Sequence, residues 1–135
     1  MKIGVDLDGV ISRRSFPNPS LKLPWWLFIP LVPFTFLISP NTETSKELRR
    51  MQREGHEILI ISARPKQISK ITKRWLKRRK IPYNKLFCVG FGKGTKQRKL
   101  DVIQKENIEM YIDHDNKTIE FLRQHSINAI RVPQV

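Results

Sequence analysis

Short apolar runs alternate with amphipathic segments along most of this chain. The apolar runs lie at residues 2–6, 57–62, 86–89, 109–113 and 127–132. Such short continuous runs are typical of buried strands in parallel sheets. The segments with apolar side chains at helical spacing lie at residues 43–54, 66–80, 97–106 and 116–125. This alternation predicts an α/β fold in which helices flank both faces of a parallel five-stranded sheet.

Polar residues stand where three of the predicted strands end. These residues are Asp6, Ser62 and Asp113. The carboxyl ends of parallel strands meet at one edge of a sheet, and ligands bind just beyond that edge. We therefore expect the three side chains to gather at one edge, although they are far apart in sequence.

Residues 21–39 break the alternation. Thirteen of these nineteen residues are apolar and no charge follows Lys22, so the segment is long enough to raise the question of a membrane span. Three prolines, Pro24, Pro30 and Pro33, argue against a continuous helix. A regular membrane-spanning helix is therefore not expected here.

We expect one domain, residues 1–135, with residues 13–42 as a hydrophobic insertion after the first strand. The insertion covers the sheet edge as a small cap, joins two copies of the chain through residues 21–39, or lies in a membrane interface. Trp25 and Trp26 suit the last alternative, because indole rings favour that boundary. The lack of helical continuity favours the cap or self-packing over membrane contact.

The chain is strongly basic, with a formal net charge of +14. This charge indicates an anionic partner, which is a phosphorylated substrate, a nucleic acid or an anionic membrane surface. Residues 64–80 contain nine lysines and arginines and no acid. The helix predicted at 66–80 could follow a phosphate backbone or hold the protein on anionic lipid.

The single cysteine, Cys88, lies in an apolar run and cannot form an internal disulfide. We expect a buried thiol in a protein of a reducing compartment. Asp6 and Asp8 interrupt the first apolar run, so a secretory signal is not expected. We expect a cytoplasmic protein, with peripheral association with a membrane as the open alternative.

Two carboxylates follow the first strand in Asp6-Leu7-Asp8-Gly9-Val10. Carboxylates two residues apart can both approach one ion or one phosphoryl group. Alone, such a string is also common in turns, but its position directly after a buried strand favours a functional role.

Four motifs in order resemble those of haloacid dehalogenase-like (HAD) superfamily phosphatases. They are Asp6-Leu7-Asp8-Gly9-Val10, Ile60-Ile61-Ser62, Lys99 before Asp101-Val102-Ile103, and Met110-Tyr111-Ile112-Asp113. The match covers nearly the whole chain except residues 13–42. Ser62-Ala63-Arg64-Pro65, Trp75-Leu76 and Ile81-Pro82-Tyr83 are most similar to the 5′(3′)-deoxyribonucleotidase branch.

The resemblance implies a Rossmann-like HAD fold and a Mg²⁺-dependent phosphomonoester hydrolase. Its substrate would be a small phosphorylated metabolite such as a nucleotide. Asp6 would be the nucleophile that forms an aspartyl-phosphate, and Asp8 the general acid and base. Asp6, Asp113 and the backbone carbonyl of Asp8 would hold the metal. Ser62 and Lys99 would bind the phosphoryl oxygens.

Several of these assignments have alternatives. Lys96, near Lys99 at the start of the same helix, is the alternative phosphate-binding lysine and a candidate substrate contact, but Lys99 has the better spacing to the apolar residues that follow. Ser62 could instead be the N-cap of the next helix. Ala63 and Arg64 are candidate substrate contacts, although Arg64 could equally be an exposed surface residue.

The fourth motif departs from its relatives, which commonly carry adjacent acids. Here the chain reads Asp113-His114-Asp115. Asp115 is a candidate replacement for the second acid, on the metal directly or through water, while His114 could point outward.

Two other functions remain open from the sequence. One is a phosphatase whose substrate is a nucleic-acid end or a membrane lipid phosphate. The other is a non-catalytic anion-binding protein with a HAD fold, against which the presence of both Asp6 and Asp8 argues.

Overall fold

The computed structural model describes residues 1–8, 10–11 and 42–132. The strands are β1 (Lys2–Asp6), β2 (Glu57–Ser62), β3 (Lys85–Cys88), β4 (Met110–Asp113) and β5 (Ala129–Arg131). The helices are α1 (Thr42–Arg53), α2 (Ser69–Arg78), α3 (Thr95–Lys105) and α4 (Asn116–Gln124). A single 3-10 turn, Lys66–Ile68, precedes α2.

The five strands form one sheet in the order β3-β2-β1-β4-β5, and every neighbouring pair is parallel. The predicted α/β fold with a parallel five-stranded sheet is confirmed. β1 occupies the centre, so the residues after it lie between the ends of β2 and β4. In such a sheet the centre of the carboxyl edge is the usual place for a ligand.

Two predicted elements are shorter in the structure by more than one residue. The helix expected at 66–80 begins with the 3-10 turn and ends at Arg78. The strand expected at 127–132 is confined to Ala129–Arg131, because the amide of Ile127 donates to the carbonyl of Leu122 and closes the end of α4. An apolar side chain that covers a helix end has the same sequence signal as one in a strand.

The core lies on both faces of the sheet. On one face, the side chains of Ile58 and Ile60 pack with Leu48 of α1 and Trp75 of α2. A second apolar cluster contains Leu59, Ile61, Tyr111, Leu100 and Leu122, the last two from α3 and α4. Successive residues of β2 alternate between the two clusters, as the two-residue period of a strand requires.

Gly4, in the middle of β1, is required by close packing rather than by a turn. A Cβ atom there would lie 2.9 Å from Cδ2 of Tyr111 on the neighbouring strand β4. The absence of a side chain at Gly4 thus leaves room for the aromatic ring beside the sheet edge that carries the site.

Residues 13–41 of the predicted insertion lie outside the described part of the chain. The cap, interface and dimer alternatives for residues 21–39 stay predictions. Within residues 1–8, 10–11 and 42–132, no helix has the length and apolar content needed to cross a bilayer. Cys88 is buried, as expected, and has a free thiol.

Candidate active site

A lysine joins two carboxylates at the carboxyl edge of the sheet. Nζ of Lys99, on α3, lies 3.2 Å from Oδ1 of Asp6 at the end of β1 and 3.1 Å from Oδ2 of Asp113 at the end of β4. Asp6 is 5% exposed and Asp113 is fully buried. The structure therefore brings together three of the residues selected from sequence. Their charges leave one uncompensated negative charge in a buried place.

The carboxylate of Asp113 is held from several sides. Its Oδ2 also accepts a hydrogen bond from the Tyr111 hydroxyl at 2.9 Å. Its Oδ1 accepts from the backbone amides of His114 at 2.7 Å and Asp115 at 3.1 Å. Such a network fixes the orientation of the carboxylate and offsets the cost of its burial.

His114 points into this cluster. Its Nδ1 lies 3.5 Å from Oδ2 of Asp6 and 3.4 Å from Oδ1 of Asp113. The outward orientation considered from sequence is wrong. The contact with the Asp6 carboxylate raises the pKa of His114 above its ordinary value, because the protonated ring is stabilised by the negative charge.

Burial and neighbouring charges change the acidity of the cluster. Burial is the largest influence on Asp6; the positive charge of Lys99 opposes it, and the result is a pKa of about 6. Burial disfavours the charged form of Lys99, but the carboxylates of Asp6 and Asp113 prevail and raise its pKa well above the ordinary value. A lysine held charged beside a carboxylate of raised pKa is a common arrangement at functional sites.

Asp8, the second acid of the first motif, is bound to Arg64. Nη2 of Arg64 donates to Oδ1 of Asp8 at 2.8 Å, and Nε donates to Oδ2 at 3.1 Å. Nη1 of Arg64 lies 3.3 Å from the hydroxyl of Thr72 on α2. Arg64 is 1% exposed, so the exposed alternative is wrong. This two-point contact fixes both oxygens of Asp8 in one plane.

Ser62, the last residue of β2, contacts the turn that carries Arg64. Its Oγ accepts from the backbone amide of Arg64 at 3.1 Å, and its side chain is fully buried. The residue before the 3-10 turn is Pro65, so Ser62 is not a helix N-cap. Ala63 is half-buried in the same turn.

The other two candidates lie differently. Lys96 is half-buried on α3, and Lys99 is the lysine of this helix that contacts Asp6 and Asp113. Asp115 is the N-cap of α4, where its Oδ2 accepts from the amide and hydroxyl of Thr118 at 3.1 and 2.6 Å. Burial acts to raise the pKa of Asp115, but these hydrogen bonds hold it below the ordinary value.

A glycine-containing loop fixes the start of α3, the helix that carries Lys99. Arg98 donates to the carbonyls of Val89 at 2.6 Å and Lys93 at 3.0 Å, across the loop of residues 90–94. A Cβ on Gly94, which has φ of 86°, would lie 2.9 Å from Nη1 of Arg98. Arg98 and Gly94 thus fix the start of the helix that carries Lys99.

The donor atoms at the edge suit a divalent cation. One ligand atom each from Asp6, Asp113 and His114 lie within 4.8 Å of one another. The two carboxylates offer the oxygen ligands that Mg²⁺ prefers, and their net negative charge with Lys99 would be neutralised by a cation. The nitrogen of His114 is not such a ligand. The residues present therefore fit Mg²⁺ through Asp6 and Asp113.

Sequence reasoning missed Tyr111 and His114 as parts of the site, along with the buried contact between Arg64 and Asp8. For Tyr111 a signal was present, because residues two apart on a strand share a face, and Tyr111 stands two before Asp113. For Arg64 and His114 no local pattern distinguishes an inward from an outward side chain.

The chain is similar to two bacterial proteins named as candidate nucleotidases. The protein from Bacillus cereus is 31% identical over 92 residues, which are 67% of this chain and 47% of that protein. The protein from Halalkalibacterium halodurans is 29% identical over 66 residues, 47% of this chain and 31% of that protein. The chain thus spans less than half the length of each relative. No family model matches the chain.

Solved structures share the fold at low sequence identity. A chain of the Pnkp1/Rnl/Hen1 RNA repair complex has a TM-score of 0.75 at 18% identity, over 98% of this chain and 42% of that one. The D,D-heptose 1.7-bisphosphate phosphatase from B. bronchiseptica, complexed with magnesium and phosphate, has a TM-score of 0.63 at 10% identity, over 96% of this chain and 79% of that one.

The sheet and its edge define an α/β protein with buried carboxylates after the first and fourth strands. Its fold is shared with these solved structures, one of which is a phosphatase, as the resemblance recognised in the sequence implied.

Proposed function

We propose that this chain is a Mg²⁺-dependent phosphomonoester hydrolase in which Asp6 is the nucleophile. The observation that carries the proposal is the buried contact of Lys99 with both Asp6 and Asp113 at the centre of the carboxyl edge. Burying two carboxylates costs free energy that a purely structural role would not require. Phosphatase neighbours and nucleotidase-like relatives agree with this activity.

The chain's own residues can perform a two-step transfer. An oxygen of Asp6 attacks phosphorus, the ester P–O bond breaks, and Asp8 donates a proton to the departing alcohol oxygen. In the second step Asp8 takes a proton from water, whose oxygen bonds to phosphorus as the Asp6–phosphorus bond breaks. Inorganic phosphate leaves, and Asp6 is again a carboxylate.

The residues around the nucleophile have separate tasks. Asp6, Asp113 and the backbone carbonyl of Asp8 would hold Mg²⁺. When bound, Mg²⁺ supplies positive charge that reduces repulsion between the carboxylate and the phosphate oxygens. Lys99 keeps Asp6 and Asp113 in fixed orientations, and Ser62 would donate to a phosphoryl oxygen.

Arg64 acts as a positioning residue for Asp8. It holds both Asp8 oxygens, and its own guanidinium is anchored on Thr72. One Asp8 oxygen must leave its hydrogen bond with Arg64 and turn toward the leaving group before Asp8 can transfer a proton. Arg64 therefore keeps Asp8 near the nucleophile while the other oxygen stays bound.

The proposed substrate class is a nucleotide or another small phosphorylated metabolite, since the matched relatives are named as candidate nucleotidases. A second candidate is the phosphorylated end of a nucleic acid. The acid-free basic segment of residues 64–80 favours this alternative.

An aryl phosphate assay tests the activity. We expect Asp6→Asn to lower turnover by about 1,000-fold or more, because the amide keeps the shape but cannot attack phosphorus. Asp101→Asn is the matched control, since Asp101 is an exposed residue of α3 that accepts from Gln97. Equal turnover in wild type and Asp6→Asn, or full turnover in EDTA, would refute the mechanism. Phosphorylated oligonucleotides hydrolysed faster than free nucleotides would select the second candidate.

A further inference from the structure

A concave basic surface lies at the far end of α2. An open depression of about 600 Å³ is lined by Lys73, Arg74, Lys77 and Lys80, with Tyr83 in the connection to β3. We call this surface the basic groove. Its volume is in the range of small-molecule binding sites.

Among the described residues, the lining of the basic groove is cationic and carries no acid. The described lining contains no aspartate or glutamate, and none of the four forms an ion pair with another described residue. By contrast, Arg50 on the exposed face of α1 is paired with both Glu47 and Glu54. Like charges gathered without counterions repel one another, so the groove is a place where an anion would bind favourably.

The basic groove is separate from the candidate active site. It adjoins Asn84, whose amide donates to the carbonyl of Ile58 at the beginning of β2. Ser62 and the active site lie at the other end of that strand, about 13 Å away at the rise of a strand. Phosphate binding at Asp6 therefore does not explain the groove.

The surroundings of the basic groove suit a nucleic acid better than a lipid surface. A helix that inserts into a membrane interface buries exposed apolar side chains there, yet the exposed large apolar residues of the described chain are Met1 and Ile130, both outside the lining. Trp75 and Leu76 of α2 are buried in the core. Tyr83 is half-buried, packs in part against the apolar core and also lines the groove beside the cations; aromatic and cationic side chains together are used to bind single strands.

We propose that the basic groove binds the sugar-phosphate backbone of single-stranded nucleic acid. Lys73 and Lys77 stand one helical turn apart on α2, and Lys80 follows just beyond its end. Such a row spans about 10 Å, enough to contact several consecutive phosphates. The proposal does not depend on the phosphatase activity.

Fluorescence anisotropy with an RNA of about 12 nucleotides that lacks a terminal phosphate tests the proposal, in EDTA and from about 50 to about 200 mM salt. We expect the triple variant Lys73→Gln, Lys77→Gln, Lys80→Gln to weaken binding by about tenfold or more and to reduce the salt slope by about 2. Asp6→Asn should bind as the wild type does, which separates the groove from the active site.

The matched control replaces three exposed lysines elsewhere, Lys46, Lys105 and Lys117, with glutamine. It removes the same net charge but outside the basic groove. Because these lysines would not contact the bound strand, we expect the control to weaken binding by less than about twofold. Thermal unfolding checks that both variants are folded. Equal weakening by the two triple variants, tighter binding of a duplex, or binding of anionic vesicles without binding of the RNA would overturn the proposal.

Discussion

Asp6 is the residue at which stability and chemistry conflict. The proposed nucleophile has to be ionised, yet burial raises the pKa of Asp6 to about 6 although Lys99 is 3.2 Å away. The metal-free fold thus holds a carboxylate in a place that disfavours its charge. A positive ion between Asp6 and Asp113 would relieve this cost, which is the physical reason to connect the site with Mg²⁺.

We expect the stability of the metal-free wild type, relative to Asp6→Asn, to fall as pH rises from about 4 to about 6. The folded state keeps the Asp6 proton up to a pKa of about 6, whereas the unfolded chain releases it near 3.8. Stabilisation that is fully present below the pKa of Asp6 in the unfolded chain is therefore lost as the pH rises through its pKa in the folded state. The loss is about 3 kcal/mol at most. His114, whose pKa is raised beside Asp6, contributes in the same direction near neutral pH.

Urea unfolding of both proteins in EDTA across this pH range measures the difference. A difference in unfolding free energy that stays constant with pH would contradict the raised pKa of Asp6.

We expect Arg64→Lys to lower kcat by about tenfold or more while KM changes little, because one ammonium cannot hold both Asp8 oxygens as a guanidinium does. The loss should be much smaller when Arg64→Lys is added to Asp8→Asn, since the partner it positions is then already inactive. Additive losses in the double variant would show that Arg64 acts on stability or on another group.

At the scale of elements, Asp115 has a structural role at the start of α4 that requires no metal. Its carboxylate caps the helix through Thr118, and the same turn directs the amides of His114 and Asp115 onto Asp113. Asp115, the candidate second acid of the fourth motif, reaches this helix end. The cap thereby supports the orientation of Asp113.

We expect Asp115→Ala to lower the unfolding free energy by about 1 kcal/mol, and Asp115→Asn to retain most of the stability because asparagine also caps helices. The Mg²⁺ concentration that gives half-maximal activity should be the same in Asp115→Asn and wild type. A large increase in that concentration for Asp115→Asn would identify Asp115 as a metal ligand instead.

At the scale of the molecule, the sheet brings together the candidate metal ligands Asp6 and Asp113 from distant parts of the chain, so an ion bound there should stabilise the whole fold. We expect millimolar Mg²⁺ to raise the Tm of the wild type by about 3 °C or more, and to have little effect on Asp113→Asn. Asp101→Asn serves as the control and should respond as the wild type does. Equal Mg²⁺ shifts in wild type and Asp113→Asn would place the ion elsewhere.

Much of the fold and part of the site could be predicted from sequence. The short apolar runs identified all five strands, because buried parallel strands carry apolar residues on both faces. The strand ends then identified Asp6 and Asp113, which Lys99 joins in the structure. From sequence, the choice between Lys99 and Lys96 rested on spacing alone, because the contacts that distinguish them are with residues of β1 and β4.

The sequence by itself determined the order of strands and helices, the residues that follow each strand, and the concentration of positive charge in residues 64–80. These are local properties, set by the periods of helix and strand and by the types of neighbouring residues. They do not fix which strands are neighbours.

Only the tertiary structure decided the strand order β3-β2-β1-β4-β5, which puts Asp6 beside Asp113. It also decided that Arg64 reaches Asp8 across 56 positions of sequence, and that His114 faces inward. Side-chain direction at a strand end depends on which opposite charges the packed sheet brings within reach. No periodic pattern in the sequence records those distances, because they arise when β1, β2 and β4 pack side by side.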